Sequence, residues 1–569
     1  MLDTYSLDAQ PLDGLGVDLV PWVLTSVGTG RAIDYVYLVD MYPWQGTNGV
    51  SYGAPLVLDA GMLDALPGQE EQPPGSIVPL YYADRGYLTA PTDSAAPRRL
   101  YEGRVQGFSV ERRLPLSPTD SRRVAGTFGL LRLRNDDGVL DSLPDSFAVQ
   151  GRRVVVRRII RGQDLSEAVP VFDGVGVAWE PDDGVMGLTV RDRTALADLA
   201  LLPTYGGTGG KDGPVAWKGK PMPGAFGIAR WVPLECYDTA FGLFRCHFRR
   251  IKGVTGLWDK GGAYAYVGDY PTEASLKAAS LTGGQYATCC AEGIVRAVPS
   301  AGGSQPYLGT VTADIEGDAE GGYVETHAEI AQRLLSIGGL GDLVAGGTVA
   351  SHAAYLPGAC GFAWTSQTTV GEAVSTVMQS CASWWGDDRT GQIRLGRLEE
   401  PGVPDLELVP GSGLLDVTPG TLPASISPAV WRSTVQYRRC HSVISRDAIL
   451  ATADEATKAF AEREYREAPP SANSLILSRY PTAPELRINS GYDADGPVSD
   501  LASYLQALNA RSRGVWACKV PLAVAASLWL GRSLRVTWPR HGLAQGRNVR
   551  VVALPEDIGD RTATILVWG

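Results

Sequence analysis

The chain has 569 residues, of which 44% are hydrophobic, and a net charge of −11. That length calls for roughly three to five units at the usual 100 to 200 residues per domain. The negative balance excludes a globally basic nucleic-acid binder, whose field must attract phosphate.

With 68 Gly and 38 Pro, backbone punctuation is dense enough to favour short strands joined by turns over long helices. The expected fold class is mainly β with a few short helices, a β-rich α+β multidomain protein. No basic segment followed by an apolar core opens the chain, and the longest apolar run, residues 520–530, is too short to span a bilayer. Neither a Sec signal nor a membrane anchor is expected. The eight cysteines, at 236, 246, 289, 290, 360, 381, 440 and 518, show no CxxC pair, so reduced and mostly buried thiols made in the cytoplasm are the default. Few of the 51 basic residues are lysine. Arginine suits interfaces through bidentate carboxylate pairs, and arginine-rich codon usage is the plain alternative.

In chain order, residues 1–100 read as a β-rich segment with strands over 35–39 and 77–82. An exposed, acidic, proline-containing loop lies between them at 44–74. Residues 101–200 read as a first barrel or sandwich, with strands over 104–110, 125–134, 152–160, 171–179 and 185–191. In the second of these, Leu131 and Leu133 share one face, Arg132 and Arg134 the other, and the turn Asn135, Asp136, Asp137, Gly138 follows. Residues 201–320 hold a Gly/Pro-rich linker and an accessory β-rich domain with an aromatic centre of Trp258, Tyr264, Tyr266 and Tyr270, and a short helix within 271–281.

Residues 321–440 read as a helix, hairpin and β unit. Thr326 and Glu329 form a capping box for a helix over 327–337, and Thr369 and Glu372 do the same for a second helix. In that second helix Val370, Ala373, Val374, Val377, Met378 and Cys381 recur at the helical period. Residues 383–398 then predict a hairpin around a polar turn, 387–391. Residues 441–569 supply a strand entering from 431–440, a polar helix over 454–466, extended chain over 469–484, and a helix capped by Asp500 with Leu501, Tyr504, Leu505 and Leu508 inward. Strands over 516–520, 534–538, 548–554 and 562–568 complete a second barrel-like unit.

Catalytic motifs are scarce. The five histidines, 247, 327, 352, 441 and 541, include no helical metal pair, and HAEIA at His327 lacks the second histidine of a zinc protease. The glycines at 206–210 with Lys211 lack a P-loop's first glycine, since Tyr205 stands there, and Asp212 replaces its hydroxyl. A flexible linker is the expected use. Trp384, Trp385, Asp387 and Asp388 could form a sugar site, against core tryptophans beside a hairpin turn. Asp136, Asp137 and Asp141 could hold calcium, against an ordinary β-turn with Gly138 at positive φ. Cys289 and Cys290 are adjacent, and Cys236 could approach Cys246 if their strands pair. No catalytic, cofactor or metal residue is nominated, and the expectation is no enzyme.

The helix and hairpin with its paired tryptophans and DRTG turn (residues 369–398) resembles a segment of the tail hub proteins of tailed bacteriophages. Three further pieces are similar to the same family: PLYYADRGYLTAPTDSAAPRRLYEGRV at 79–105; GLLRLRNDDGVLDSL, GRRVVVRR and VFDGVGVAWE between 129 and 180; and LGRSLRVTWPRHGLAQGRNVRVVAL at 530–554 with the closing ATILVWG. Residues 44–71 depart from the pattern as an insertion. The resemblance implies a baseplate hub in the virion, at the distal tail tip. It would be a homotrimer whose two tube-like β-barrel domains per chain adapt a sixfold tube to a threefold tip.

Its implied partners are the distal tail protein or tail tube, the tape-measure protein's C-terminus, and a central fibre, spike or receptor-binding protein. DNA would pass through the channel without specific binding, and an acidic lumen would repel it. Some phage tail-tip proteins carry an iron-sulfur cluster, so the family leaves a Cys-ligated cluster open beside no cofactor. The rival readings are a tail-tip adhesin or carbohydrate-binding protein, and a cell-wall hydrolase.

Overall fold

The computed structural model describes residues 35–46, 75–119, 123–126, 129–300, 307–558 and 562–569. It is mainly β, with several sheets and few helices. The expected loop at 44–74 lies outside the described residues except at its start, 44–46. There Trp44–Gly46 is a strand that pairs with Gly75–Ile77 and with Phe147–Ala148. The strand expected over 77–82 is split, because Pro79 has no N–H for a ladder, and Leu80–Ala83 follows as a separate strand.

A long ladder organises both ends of the chain. Tyr35–Met41 pairs with Leu80–Ala83 and with Arg153–Ile160. The latter pairs with Val169–Asp182, which pairs with Val185–Asp192, which pairs with Gly129–Arg134. Gly129–Arg134 then pairs with Val105–Arg113, whose far half pairs with Arg547–Ile558. The near half of Arg547–Ile558 belongs to the C-terminal unit, where it meets Ser533–Val536 and Thr562–Trp568; the latter meets Val515–Pro521, and this meets Asp416–Pro419. The N-terminal and C-terminal strands are therefore joined in one continuous ladder. At 9 and 12 residues, Val105–Arg113 and Arg547–Ile558 are long enough to serve both sides. Alternation fills the N-terminal core, where Leu131 and Leu133 are buried and Arg132 and Arg134 exposed.

Between these units sits the accessory domain, built on Gly224–Leu234, Ile251–Asp259 and Val311–Asp318 with a second small sheet beside it. Its aromatic centre is narrower than expected, since Tyr264 is buried but Tyr266 is exposed. The 206–213 segment folds around Asp212, whose carboxylate accepts the Gly206 and Thr208 N–H groups at 2.8 and 3.2 Å and the Thr208 hydroxyl at 2.6 Å. A carboxylate thus occupies the backbone donors that a phosphate would need.

The helices His327–Ile337 and Val370–Ser380 have the predicted capping boxes and contribute to the largest core. Three sequence expectations need correction. The third core helix runs Asp495–Asn509 with Ala494 as its N-cap, so Asp500 lies inside it. Pro497 falls in the first turn, where its missing N–H costs nothing. The polar helix ends at Ala461, and Arg466–Glu467 is a strand. The stretch 469–484 includes the helix Ser474–Arg479, started by Asn473, whose side chain accepts the Leu475 N–H at 3.1 Å. Arg432–Tyr437 pairs in parallel with Glu485–Asn489.

Candidate functional site: an ionic joint between the β units

The hairpin turn that reads as polar is buried. Asp387, Asp388 and Arg389 are 5%, 4% and 2% exposed. Buried charges are tolerated only when paired and hydrogen-bonded, and each of the three has its own work. Asp388 shapes the turn: Oδ1 accepts the Thr390 N–H and hydroxyl at 2.8 and 2.6 Å and the Gln392 N–H at 3.2 Å, and Oδ2 accepts Arg394 Nε at 2.8 Å. Arg389 reaches toward the C-terminal unit and donates to the carbonyls of Ala526 and Ala525 at 3.2 and 3.4 Å, at the end of the helix Leu522–Ala526. A cation there satisfies carbonyls that the helix leaves unpaired.

Asp387 points the other way, into the N-terminal unit. It accepts the Arg193 N–H at 3.1 Å and lies 3.9 Å from the Nε of Arg112, which is 4% exposed and donates to the Val171 carbonyl at 3.3 Å. Beside it Asp173 takes Arg153 at 3.1 and 2.7 Å and the Nε of Arg193 at 3.0 Å. Arg123 donates to the Thr194 hydroxyl at 2.6 Å and to Asp198 at 2.9 Å, with its guanidinium 5.4 Å from the Trp385 ring centre. Burial pushes the Asp387 carboxyl well above the usual range; the neighbouring Asp192 charge adds to this, and Arg112 opposes it. Acceptors this committed, and this far from solvent, fix sheet register.

Trp384 and Trp385 are 5% and 0% exposed, and Trp385 Nε1 donates to Ser375 Oγ at 3.0 Å. Neither indole offers a face to a sugar, which removes the carbohydrate reading at this place. The physical reason is that both faces of the strand Ser383–Asp387 are covered. The carboxylates after Asn135 are dispersed: Arg104 grips Asp137 at 3.0 and 2.9 Å, and Asn135 donates to Asp141 at 2.6 Å. Gly138 has φ +67°, the turn use expected of it. Among the described residues no group of three or more His, Cys, Asp or Glu is placed to hold a metal ion.

The histidines are scattered and mostly sealed. His247 Nδ1 accepts the Ala225 N–H at 2.9 Å, which leaves the proton on Nε2, 3.1 Å from Asp318 Oδ2. Burial lowers the His247 pKa; Asp318 is pushed up by burial, but its bonds to His247 and Arg249 hold it below the usual carboxylate range. His352 Nε2 lies 2.9 Å from the Ser383 hydroxyl, with both residues at 0% exposure, so this pair meets no substrate. His327 has no hydrogen bond to either ring nitrogen and packs 4.5 Å from the Tyr492 ring; burial pushes both His327 and His352 down to about 3. None of the eight cysteines is in a disulfide among the described residues, and the strands holding Cys236 and the residues before Cys246 do pair, Cys236 opposite Phe244.

Sequence reasoning missed Arg112, Asp173 and Arg193. One signal was available: Asp173 is a carboxylate inside the apolar strand phrase VFDGVGVAWE, a position that demands a cation.

No family model matches the chain, and no curated protein matches it. Among solved structures, the chain is similar to the 43 kDa tail protein of prophage MuSo2 from Shewanella oneidensis, at 12% identity and TM-score 0.37 over 82% of this chain and 94% of that one. It is similar to a tail protein from Neisseria meningitidis MC58 at 9% identity and TM-score 0.37, over 84% and 94%. A chain in the virion of a native gene transfer agent particle pairs at 12% identity and TM-score 0.35, over 62% and 84%.

Proposed function

We propose that the chain is a structural tail protein of a tailed bacteriophage that acts as the hub at the distal end of the tail tube. Three copies would form a ring, each giving two β units to a six-unit layer, and this layer would match the sixfold tube to a threefold tip. One observation carries the reading: three of the sequence phrases that resemble tail hubs fall on the strands of the two β units and on the ladder that joins them, and the fourth, 369–398, is the helix and hairpin that carry the ionic joint. The ionic joint supports it as well, since a ring element under load needs its two units held in one register. The distal tail protein or tube, the tape-measure C-terminus and a central fibre or spike are the partners this role requires. DNA would pass through a channel whose walls carry more carboxylates than cations, in keeping with the net charge of −11.

The test is native mass spectrometry of the purified chain, alone and mixed with the tube protein of its own virus, followed by electron microscopy of any ring. Rings of three copies with an electronegative lumen are expected. A monomer that ignores the tube protein, or a ring with an electropositive lumen, would sink the proposal.

A further inference from the structure

A groove of about 780 Å³ opens on the accessory domain between the strand Ile251–Asp259 and the strand Ala265–Asp269. That volume falls among ligand sites, which run from about 300 to 1,000 Å³. The apolar side chains along it, Ile251 and Val254, turn into the core at 1% and 8% exposure, so the surface presented is polar. Asp269 is held in place: its Oδ1 accepts the Thr288 hydroxyl at 2.7 Å and the Cys290 N–H at 2.9 Å. Asp269 is otherwise exposed.

Tyr266, 53% exposed, stands with its ring 5.2 Å from that of Tyr286, and its hydroxyl is 3.4 Å from that of Thr288. Around them the side chains of Arg250, Thr255 and Glu320 are exposed and have no partner among the described residues.

We infer that this groove binds a hydroxyl-rich oligosaccharide. A supported, exposed tyrosine ring offers an apolar platform to the C–H face of a sugar, and its hydroxyl stays in the polar rim. Fixed carboxylate oxygens accept from sugar hydroxyls, while Arg250 and Thr255 donate to them. Competing ligand classes fit less well. Asp269 and Glu320 oppose a polyphosphate or nucleic-acid strand, and the groove's Lys252 is already committed to Glu316 at 2.9 Å. The wall exposes too little apolar surface for a lipid chain, and the carboxylates do not gather into a metal-binding group among the described residues. The site is independent of the buried tryptophans and of the hub role.

Saturation-transfer NMR and calorimetry on the full chain test this, with chitotriose, maltotriose and trigalacturonate as probes. At least one probe is expected to bind with a Kd below about 1 mM, and Tyr266→Ala and Asp269→Asn should each weaken it about tenfold or more. Far-UV circular dichroism and the melting temperature should stay unchanged. Should either variant melt early, Glu320→Gln, at an exposed side chain on the same groove, provides the same comparison. Failure of all three probes to bind, or binding that persists through the substitutions in folded protein, overturns the inference.

Discussion

Asp387 carries a sign that can be tested. Its pKa is raised because burial outweighs the attraction of Arg112. A carboxyl raised in this way adds stability below its unfolded pKa, near 3.9, and loses it as pH climbs through the folded value. Asp387→Asn imitates the neutral form and keeps an acceptor for the Arg193 N–H. Its urea-unfolding stability at pH 8 should therefore lie within about 1 kcal/mol of the parent or above it. Asp387→Ala removes that acceptor and leaves Arg112 buried beside a void, at a cost of about 3 kcal/mol or more. Equal losses in both variants would contradict this account.

His327 runs the other way. Burial pushes its pKa down to about 3, so its neutral form is favoured on folding. The contribution is complete above the unfolded value near 6.5 and drains away as pH falls toward the folded one, at about 1.4 kcal/mol per pH unit. His327→Phe, against the rings of Phe362 and Tyr492, should flatten the stability profile by one proton between pH 6 and pH 4. An unchanged slope would show that the acid sensitivity lies elsewhere.

At the scale of elements, the DRTG turn depends on Gly391, which has φ +74° and on which a Cβ would sit 2.9 Å from Arg193 Cδ and 3.0 Å from the Asp173 carbonyl. Gly391→Ala should cost about 2 kcal/mol or more in chemical unfolding, from backbone strain and from pushing Arg193 off Asp173. Thr369→Ala, which removes only the helix cap, should cost about 1 kcal/mol. The two differ in legibility for the same reason. The cap is local, written in Thr369 and Glu372 three residues apart, and so were the strands whose alternation separates Leu131 and Leu133 from Arg132 and Arg134. The joint was illegible because its partners are far apart in sequence: Asp387 meets Arg193 across 194 positions, and Arg389 meets Ala526 across 137. Burial of a charged turn follows from tertiary contact, which hairpin composition does not encode. The start of the helix Asp495–Asn509 was misplaced for a smaller reason, because Asp-Gly-Pro reads as a turn when it is also a legal first turn of a helix.

At the scale of the molecule, the chain leaves its N-terminal unit near residue 200, touches it again at the turn around Asp387, and extends its ladder through Ala553–Ile558. The strand Val105–Arg113 is thus completed by residues made last, and until then Phe108 to Arg113 presents an unpaired edge, a site prone to wrong pairing. The accessory domain has its own core around Val254, Leu257 and Ile315, and its later contacts run to Gly361–Trp364 and Asp493 rather than to the terminal strands. Native-state hydrogen exchange should therefore sort the molecule into at least two cooperative groups. Peptides covering Val105–Arg113 and Arg547–Ile558 should open together with one free energy, because breaking either strand unpairs the other. Peptides covering Ile251–Asp259 should open with a different one. Val110→Pro, which deletes a ladder donor facing Glu556, should lower protection in both terminal units while leaving the accessory domain unchanged. If exchange in the C-terminal strands ignored that substitution, the two units would be neighbours in contact only, and a ring built from them would lack the stiffness that a symmetry adaptor requires.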